Sequence, residues 1–238
     1  MTSLVSPADL TALSGQLEQL PLPQALLHLT ESFPGGTVLS TSFGQEDQVL
    51  TDMIMRFDLP VRVFTLDTGR LFEETYKVFQ RTVERYGRKI EVYFPDALAV
   101  ETLLRERGPF SFYESLDNRK ECCRIRKVEP LRRALAGAQC WMTGLRTEQS
   151  ETRNQLPALT WDESFGLYKY NPLHHWSLSE VEDYLQHHRV PYNSLHDRGF
   201  VSIGCQPCTR AIRPGEDSRA GRWWWEHNTN KECGLHDR

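Results

Sequence analysis

Residues 37–50 read TVLSTSFGQEDQVL, and this stretch decides the fold. Its first half is a short apolar run that follows a Pro-Gly-Gly breaker at 34–36, a pattern typical of a buried strand. From residue 46 to residue 57 the apolar positions recur at helical spacing. Small hydroxyl residues and a glycine fill the turn between the two halves. The stretch therefore predicts a strand that leads directly into a helix.

The same strand–helix scheme recurs along the chain. Alternation of this kind predicts an α/β fold with a doubly wound, mostly parallel sheet and helices on both faces. Residues 8–30 carry apolar positions at helical spacing and are predicted to form helices outside the sheet. Further strands are predicted at 61–67, 89–96, 139–145 and 166–173, and further helices at 71–87, 97–108, 123–137 and 176–188.

Polar turns follow three of the predicted strands. They read STSFGQED at 40–47, LDTGR at 66–70 and TGLR at 143–146. Ligands of open α/β sheets bind outside the carboxyl ends of the strands, and a hydroxyl- and glycine-rich turn before a helix suits phosphate or sulfate. The alternative for the first turn is an ordinary connection in which Ser42 caps the helix. The convergence of three such turns favours an anion site.

Composition excludes several classes of protein. The chain has 39% hydrophobic and 25% charged residues, which predicts a globular protein rather than a disordered one. A formal net charge of -4 gives no general attraction for nucleic acid or an anionic membrane. Neither a signal-peptide pattern at the start nor an apolar run long enough to span a membrane is found. A cytoplasmic location is therefore expected.

Four of the six cysteines are grouped, as Cys122-Cys123 and Cys205-x-x-Cys208. Grouped cysteines in a reducing compartment indicate metal binding or catalysis before disulfides. The first pair lies in a basic run, 119–133, where a polyanionic ligand or a metal cluster would explain the excess of positive charge. Adjacent side chains diverge, so they fit different corners of an iron–sulfur cube better than one zinc ion. Zinc and a redox or structural role remain open alternatives.

Seven blocks, in order, resemble the assimilatory sulfonucleotide reductases, which belong to the adenine-nucleotide hydrolase-like group with a PP-loop. The resemblance runs from about residue 40 to residue 236. Gln45 departs from the pattern, since a small residue is expected there. The blocks are STSFGQEDQVL, FTLDTGRLFEETY, KECCRIRKVEPLRRAL, WMTGLRTEQSETR, GCQPCTR, SRAGRWWWE and KECGLH.

Cysteine usage separates the two branches of that family. Members with the Cys-Cys and Cys-x-x-Cys set reduce adenosine 5′-phosphosulfate (APS) and hold a [4Fe–4S] cluster, whereas those restricted to the 3′-phosphorylated nucleotide (PAPS) typically lack these four cysteines. The resemblance therefore implies APS reduction, with a PAPS or dual-specificity reductase as the alternative. It implies that the cluster is held by Cys122, Cys123, Cys205 and Cys208.

The resemblance also implies a mechanism. The Cys233 thiolate would attack the sulfate sulfur and release AMP, and thioredoxin or a similar dithiol would then release sulfite from the S-sulfocysteine. Lys127, Arg219 and Arg222 are the leading cations for the phosphosulfate, with Arg146 and Arg153 as secondary candidates. The other implied substrate-binding residues are Ser42, Phe43, Gly44, Glu46, Asp47, Leu66, Asp67, Thr68 and Gly69.

Two further classes of function compete with this one. An ATP-consuming PP-loop enzyme of tRNA thiolation or amidation would carry a fuller Ser-Gly-Gly-x-Asp-Ser loop, which the sequence lacks. A non-catalytic iron–sulfur or zinc protein would leave Cys233 without a purpose. Homo-oligomerisation is left open by the sequence.

Three segments are expected along the chain. Residues 1–33 form an N-terminal helical segment, and 34–198 form the nucleotide-binding α/β domain. In 199–238, prolines and glycines break the strand–helix rhythm, so an irregular segment is expected that carries the Cys-x-x-Cys pair and Cys233. The tryptophan run at 223–225 is predicted to pack and so anchor this segment.

Overall fold

The computed structural model describes residues 7–149 and 156–226. Two of the predicted site residues, Arg153 and Cys233, lie outside these described residues. The strands are β1 (Thr37–Thr41), β2 (Arg62–Leu66), β3 (Glu91–Tyr93), β4 (Cys140–Met142), β5 (Leu159–Asp162) and β6 (Leu167–Tyr170). The helices are α1 (Pro7–Gln19), α2 (Leu22–Ser32), α3 (Gln45–Arg56), α4 (Glu73–Tyr86), α5 (Ala97–Arg107), α6 (Leu116–Cys123), α7 (Glu129–Leu135) and α8 (Leu178–His187).

The six strands form one sheet in the order β3-β2-β1-β4-β6-β5. Neighbours pair in parallel except β5, which runs antiparallel to β6. The predicted α/β fold with a mostly parallel sheet is confirmed. Strands β2 and β3 lie on one side of β1 and β4 lies on the other, so the strand order reverses at β1. Such a reversal opens a crevice at the carboxyl ends of the strands.

Apolar side chains cover both faces of the sheet. The larger cluster packs α2, α3 and α8 on one face and includes Leu39, Leu50 and Val181. The smaller one sets α7 against the other face through Leu131 and Trp141. Leu17 of α1 belongs to the larger cluster, so the N-terminal helices share the core of the sheet. The three segment boundaries stay predictions.

Local sequence determines several helix ends. Ser177 and Glu180 form a capping box at the start of α8. Gly87 ends α4 in the left-handed conformation that glycine tolerates. No helix in the described part of the chain is long and apolar enough to cross a membrane.

The helix predicted over 123–137 is longer and more complex than expected. The helical path begins at Leu116, passes through a π-helical turn at Arg124–Val128 and continues as α7. Pro130 lies in the first turn of α7, where it cannot donate to the carbonyl group four residues earlier and its ring crowds that group. The wider π-helical turn across the preceding residues accommodates this. Turns of this type occur frequently at functional sites.

Candidate active site

A cavity lies at the carboxyl ends of β1, β2 and β4, beside the reversal of strand order. The loop at 203–205 closes it from the C-terminal segment. This is the edge at which the polar turns were predicted to meet. The lining residues are Ser40, Thr41, Ser42, Gly44, Glu46, Asp47, Thr65, Leu66, Thr68, Leu71, Thr75, Lys127, Leu131, Trp141, Thr143, Gly144, Leu145, Gln149, Ile203, Gly204 and Cys205.

Asp47 joins two of the loops around the cavity. Its carboxylate accepts from the backbone N–H of Ser42 at 2.6 Å and from the Ser42 hydroxyl at 2.7 Å. It also accepts from the backbone N–H of Gly144, after β4. A Cβ atom on Gly144 would lie 2.5 Å from the Asp47 Oδ1 atom, so only glycine allows this approach. The N–H groups of Ser42 and Gly144, which could otherwise face an anion, therefore donate to Asp47.

Burial raises the pKa of Asp47 to about 6, although its hydrogen bonds from Ser42 and Gly144 act in the opposite direction. The neighbouring carboxylate, Glu46, pairs with the Arg146 guanidinium at 2.8 Å. Arg146 also reaches Glu148, at 3.1 Å. Its charge is therefore committed to carboxylates at this end of the cavity. Phosphosulfate binding by Arg146 stays a prediction.

The opposite end of the cavity is positively charged. Lys127 follows the cysteine pair on the π-helical turn, and its charge acts on the Cys205 thiol. Arg126 and Arg222 act on the same thiol. The cavity therefore has an acidic end at the start of α3 and a basic end beside Cys205. A ligand with one anionic end fits it in one direction.

The loop after β2 contacts the basic residues and the cysteine at the basic end of the cavity. The Asp67 carboxylate accepts from the Gly69 N–H at 2.8 Å and from the Tyr76 hydroxyl at 2.9 Å. The Thr68 carbonyl accepts from Arg126 at 2.7 Å, and the Cys205 thiol donates to the Thr68 hydroxyl at 3.3 Å. These contacts fix Thr68 between the cavity and the cysteines.

Four thiols meet on the basic side of the cavity. Cys123, Cys205 and Cys208 are buried with Phe112 and Trp223, and Cys122 packs against them. We call these four cysteines the thiol cluster. All four are free of disulfides. The structure thus brings together two pairs that lie more than 80 residues apart in the chain.

The thiols differ in acidity. Burial disfavours the Cys205 thiolate, but Lys127, the Thr68 hydroxyl and two arginines together outweigh this and lower the pKa of Cys205. Burial and the charge of Cys205 raise the pKa of Cys208 to about 12. Burial also raises the pKa of Cys122. One thiol of the cluster is therefore prepared to carry negative charge, and it is the one that lines the cavity.

A buried ion pair holds the C-terminal segment onto the thiol cluster. The Arg119 guanidinium donates to the Glu226 carboxylate at 2.8 and 3.1 Å. The two side chains are 1% and 7% exposed, so little water screens the pair. Arg119 also lies over the ring of Trp223, 4.5 Å from its centroid. The segment that leads toward Cys233 is thus fixed at residue 226.

Comparison with protein families identifies the chain. Residues 36–211 match the family model described as "Phosphoadenosine phosphosulfate reductase domain". The chain belongs to this family. The match covers most of the chain and includes the sheet, the cavity and the thiol cluster.

Several proteins named as reductases are similar to this chain. A relative from Allochromatium vinosum named adenosine 5′-phosphosulfate reductase is 56% identical over 201 residues, which are 84% of this chain and 78% of the relative. Another so named, from Burkholderia cepacia, is 49% identical over 98% of this chain and 93% of its own length. A crystal structure titled phosphoadenylyl-sulfate (PAPS) reductase from Candida auris, phosphate complex, matches with a TM-score of 0.76 and 29% identity, over 89% of this chain and all of that one.

The reductase domain shares its fold with more distant enzymes. Candida glabrata FMN adenylyltransferase, in complex with FAD and pyrophosphate, matches with a TM-score of 0.51 and 16% identity over 93% of this chain and 83% of that chain. At this identity the likeness concerns the fold alone.

The predicted substrate-binding residues and the predicted nucleophile fall into three groups. Seven line the cavity, namely Ser42, Gly44, Glu46, Asp47, Leu66, Thr68 and Lys127. Arg153 and Cys233 lie outside the described residues. The others are Phe43, Asp67, Gly69, Arg146 and Arg222, which adjoin or contact lining residues, and Arg219, which lies in the C-terminal segment. The binding roles of all these residues stay predictions.

Two of the residues behind the lining have clear local roles. Phe43 is buried, stacks on Phe79 with ring centroids 5.0 Å apart, and adopts a positive φ of 60° that turns the chain into α3. Arg222 is buried over the ring of Trp223. A Cβ atom on Gly204 would lie 2.4 Å from the Arg222 guanidinium, so glycine leaves the room that Arg222 occupies.

Sequence reasoning missed part of the site. Leu131 on α7 and Trp141 on β4 line the cavity, and neither was among the predicted site residues. The basic run was predicted to face a polyanion, but Arg124 pairs with Glu121 and Glu129. The glycine at 204, directly before the Cys-x-x-Cys pair, was the available sign that the loop at 203–205 approaches other groups closely.

An Asp47→Asn variant is expected to be more stable than the natural protein at pH 8. Because the pKa of Asp47 rises from 3.8 to about 6 on folding, the carboxylate costs stability once it is charged. The cost is absent below the unfolded value, grows as pH rises between the two values and is complete above about pH 6. It amounts to about 3 kcal/mol. Urea unfolding should therefore show a gain at pH 8 that shrinks toward pH 5.

The matched control is Asp58→Asn, because Asp58 is exposed and pairs with Arg88 at the surface. It should change stability little at either pH. An equal gain for Asp47→Asn at both pH values would contradict the assignment.

Proposed function

We propose that the chain is an APS reductase that forms sulfite and AMP through an S-sulfocysteine on Cys233, in assimilatory sulfate reduction and cysteine biosynthesis. One observation carries the proposal: Lys127 and Cys205 of the thiol cluster line the same cavity. The names of the relatives support the substrate. The five cysteines among the described residues are free thiols, which fits a reducing cytoplasm.

The nucleotide enters with its phosphosulfate toward the basic end of the cavity. Lys127, with Arg222 behind Gly204, provides positive charge there, whereas Glu46 and Asp47 disfavour an anion at the other end. The adenosine then lies against the strand ends near Leu66 and Trp141. Fixed cations beside the leaving phosphate stabilise the charge that develops on it.

The first step transfers the sulfonate group to the protein. The Cys233 thiolate attacks the sulfate sulfur, a sulfur–sulfur bond forms, and the bond from that sulfur to the phosphate oxygen breaks. AMP leaves with the electron pair. Only the thiolate is a competent nucleophile, and the nearby cations favour it.

The second step consumes a dithiol, for which we propose thioredoxin or a similar protein. One donor thiolate attacks the Cys233 sulfur and expels sulfite with its electron pair. The second donor thiolate attacks the resulting mixed disulfide and releases Cys233. Two electrons thus pass from the dithiol to the sulfonate sulfur, and the donor leaves as a disulfide.

The thiol cluster fits a [4Fe–4S] cluster. Its four sulfur donors come from two elements, and basic groups surround them. Among residues 7–149 and 156–226 no three His, Cys, Asp or Glu side chains lie close enough to share a single metal ion. Adjacent cysteines such as Cys122 and Cys123 reach different corners of a larger cube more readily than they share one ion. When bound, the cluster would supply a fixed charge near the phosphosulfate, held by Cys122, Cys123, Cys205 and Cys208.

A Cys205→Ala variant is expected to lose most of its iron, whereas Cys140→Ala keeps it. Cys140 lies in β4 and belongs to the larger apolar cluster, separate from the thiol cluster, and serves as the matched control. Iron and acid-labile sulfide per chain, together with the visible absorbance, measure the loss. Four iron atoms in the natural protein and fewer in Cys205→Ala are the expected outcome. Zinc in place of iron would contradict the proposed cofactor.

Steady-state kinetics with APS and PAPS test the substrate. The purified, cluster-loaded protein should form sulfite and AMP from APS with reduced thioredoxin, with a much lower kcat/KM for PAPS. Equal values for both nucleotides would mean a dual-specificity reductase. No sulfite from either nucleotide, in protein that holds its iron, would refute the proposed function.

A further inference from the structure

Three exposed aromatic rings form a continuous surface beside the thiol cluster. Phe110, Tyr113 and Trp224 are 62%, 38% and 40% exposed. Tyr113 lies between the other two, with ring centroids 6.3 Å from each of them. We call these residues the aromatic patch. Single exposed apolar side chains are ordinary, but contiguous ones mark interaction sites.

The aromatic patch is held rigidly. The Tyr113 hydroxyl donates to the carbonyl of Pro207, within the Cys-x-x-Cys loop, at 2.6 Å. Trp225 packs edge-on against Tyr113, with ring centroids 4.4 Å apart. Phe112 is buried among the thiols below. A preformed aromatic surface suits recognition, because little side-chain freedom is lost on binding.

The position of the aromatic patch relates it to Cys233. Glu226 is fixed by its buried pair with Arg119, and Cys233 lies seven residues further along the chain. A fully extended segment of this length spans at most about 25 Å. Any protein that reacts with Cys233 must therefore bind within that distance of Glu226. Trp224, two residues before Glu226, places the aromatic patch inside this range.

We propose that the aromatic patch is the docking surface for the dithiol protein that releases sulfite, an inference that rests on the proposed function. The donor must bring its sulfur to within a bond length, about 2 Å, of the Cys233 sulfur. A partner docked on Phe110, Tyr113 and Trp224 stands beside the point where the tail is fixed. Aromatic side chains commonly carry the binding energy of such interfaces.

The chemistry balances with this partner alone. Its first thiolate forms a disulfide with the Cys233 sulfur as the bond to the sulfonate sulfur breaks, and sulfite departs with the electron pair. Its second thiolate then breaks that disulfide, so the partner is oxidised and Cys233 returns as a thiolate. A small dithiol performs the same exchange without docking, which separates binding from chemistry.

The test compares a protein donor with a small one. Full-length, cluster-loaded protein is incubated with APS without reductant, freed of nucleotide, and mixed with reduced thioredoxin or with dithiothreitol. Phe110→Ser and the double variant Phe110→Ser, Trp224→Ser are compared with Phe57→Ser. Phe57 is a matched control, since it is 47% exposed at the end of α3, on the opposite edge of the sheet.

The double variant should release sulfite to thioredoxin about tenfold more slowly, with the single variant intermediate. Its rate with dithiothreitol should equal that of the natural protein, and Phe57→Ser should be normal with both donors. An unchanged thioredoxin rate would overturn the proposal. So would equal losses with both donors, because the rings would then position the tail, and so would a changed molar mass of the variants in solution, which would indicate a contact between copies. Failure of the natural protein to take up the sulfonate would instead refute the proposed function.

Discussion

A Cys233→Ser variant is expected to lose sulfite formation by a factor of at least about a thousand. A serine hydroxyl does not ionise near neutral pH, and the cations beside the cavity cannot lower its pKa far enough to change this. The residues that line the cavity and those of the thiol cluster lie elsewhere in the chain. Nucleotide affinity, iron content and thermal stability should therefore stay unchanged.

Mass spectrometry after incubation with labelled APS and no reductant measures the effect directly. The natural protein should carry the label on the peptide that contains Cys233, and the variant should carry none. Cys140→Ser is the control for loss of a thiol that the reaction does not use. Label on another cysteine, or sulfite formation by Cys233→Ser, would show that the nucleophile lies elsewhere.

A Glu226→Ala variant is expected to have the largest effect on stability. Arg119 is 1% exposed and would be left buried without its carboxylate. Removing one partner of a buried pair costs about 3–5 kcal/mol, chiefly because the remaining charge is unpaired. The contacts of the tryptophan run should loosen, and sulfite formation should fall because Cys233 loses its fixed starting point.

The matched control is Glu216→Ala, which removes the Glu216–Arg210 pair in the same segment. That pair has the same 2.8 Å separation but is about one-third exposed on both sides. Its loss should cost little stability, since water screens it. Urea unfolding of both variants gives the comparison. Equal losses would mean that burial does not set the strength of the Arg119–Glu226 pair.

Much of the fold could be predicted because its strands are short apolar runs closed by turn residues. The run before Ser42 and the helix after it follow the sequence pattern closely. Strand β5 was not predicted because LTWD, at 159–162, is short and ends in a charged residue. It forms an antiparallel hairpin with β6 across a tight turn, and such edge pairing depends on the neighbour more than on the strand itself.

The candidate site was predictable in position but not in detail. Parallel strands bring their carboxyl ends to one edge, so the polar turns had to meet there. Which groups remain available to a ligand depends on contacts between distant parts of the chain. Arg146 lies 100 residues from Glu46, and nothing in either neighbourhood shows that they pair. Likewise, the Ser42 N–H donates to Asp47 because α3 places that carboxylate beside it, and the local sequence does not show this.

The π-helical turn at Arg124–Val128 allows the two halves of one continuous helical segment to pack against different neighbours. Each residue of an α-helix advances the side chains by about 100° around the axis, so one additional residue in a turn rotates everything beyond it by that amount. Before the turn, the helix presents Cys123 to sulfur and aromatic neighbours; after it, Leu131 and Ala134 face the sheet. A regular helix of the same length would hold one of these orientations at the expense of the other. The extra residue thus rotates the side chains beyond it about the helix axis. Cys123 can therefore face the other thiols while Leu131 and Ala134 face the sheet.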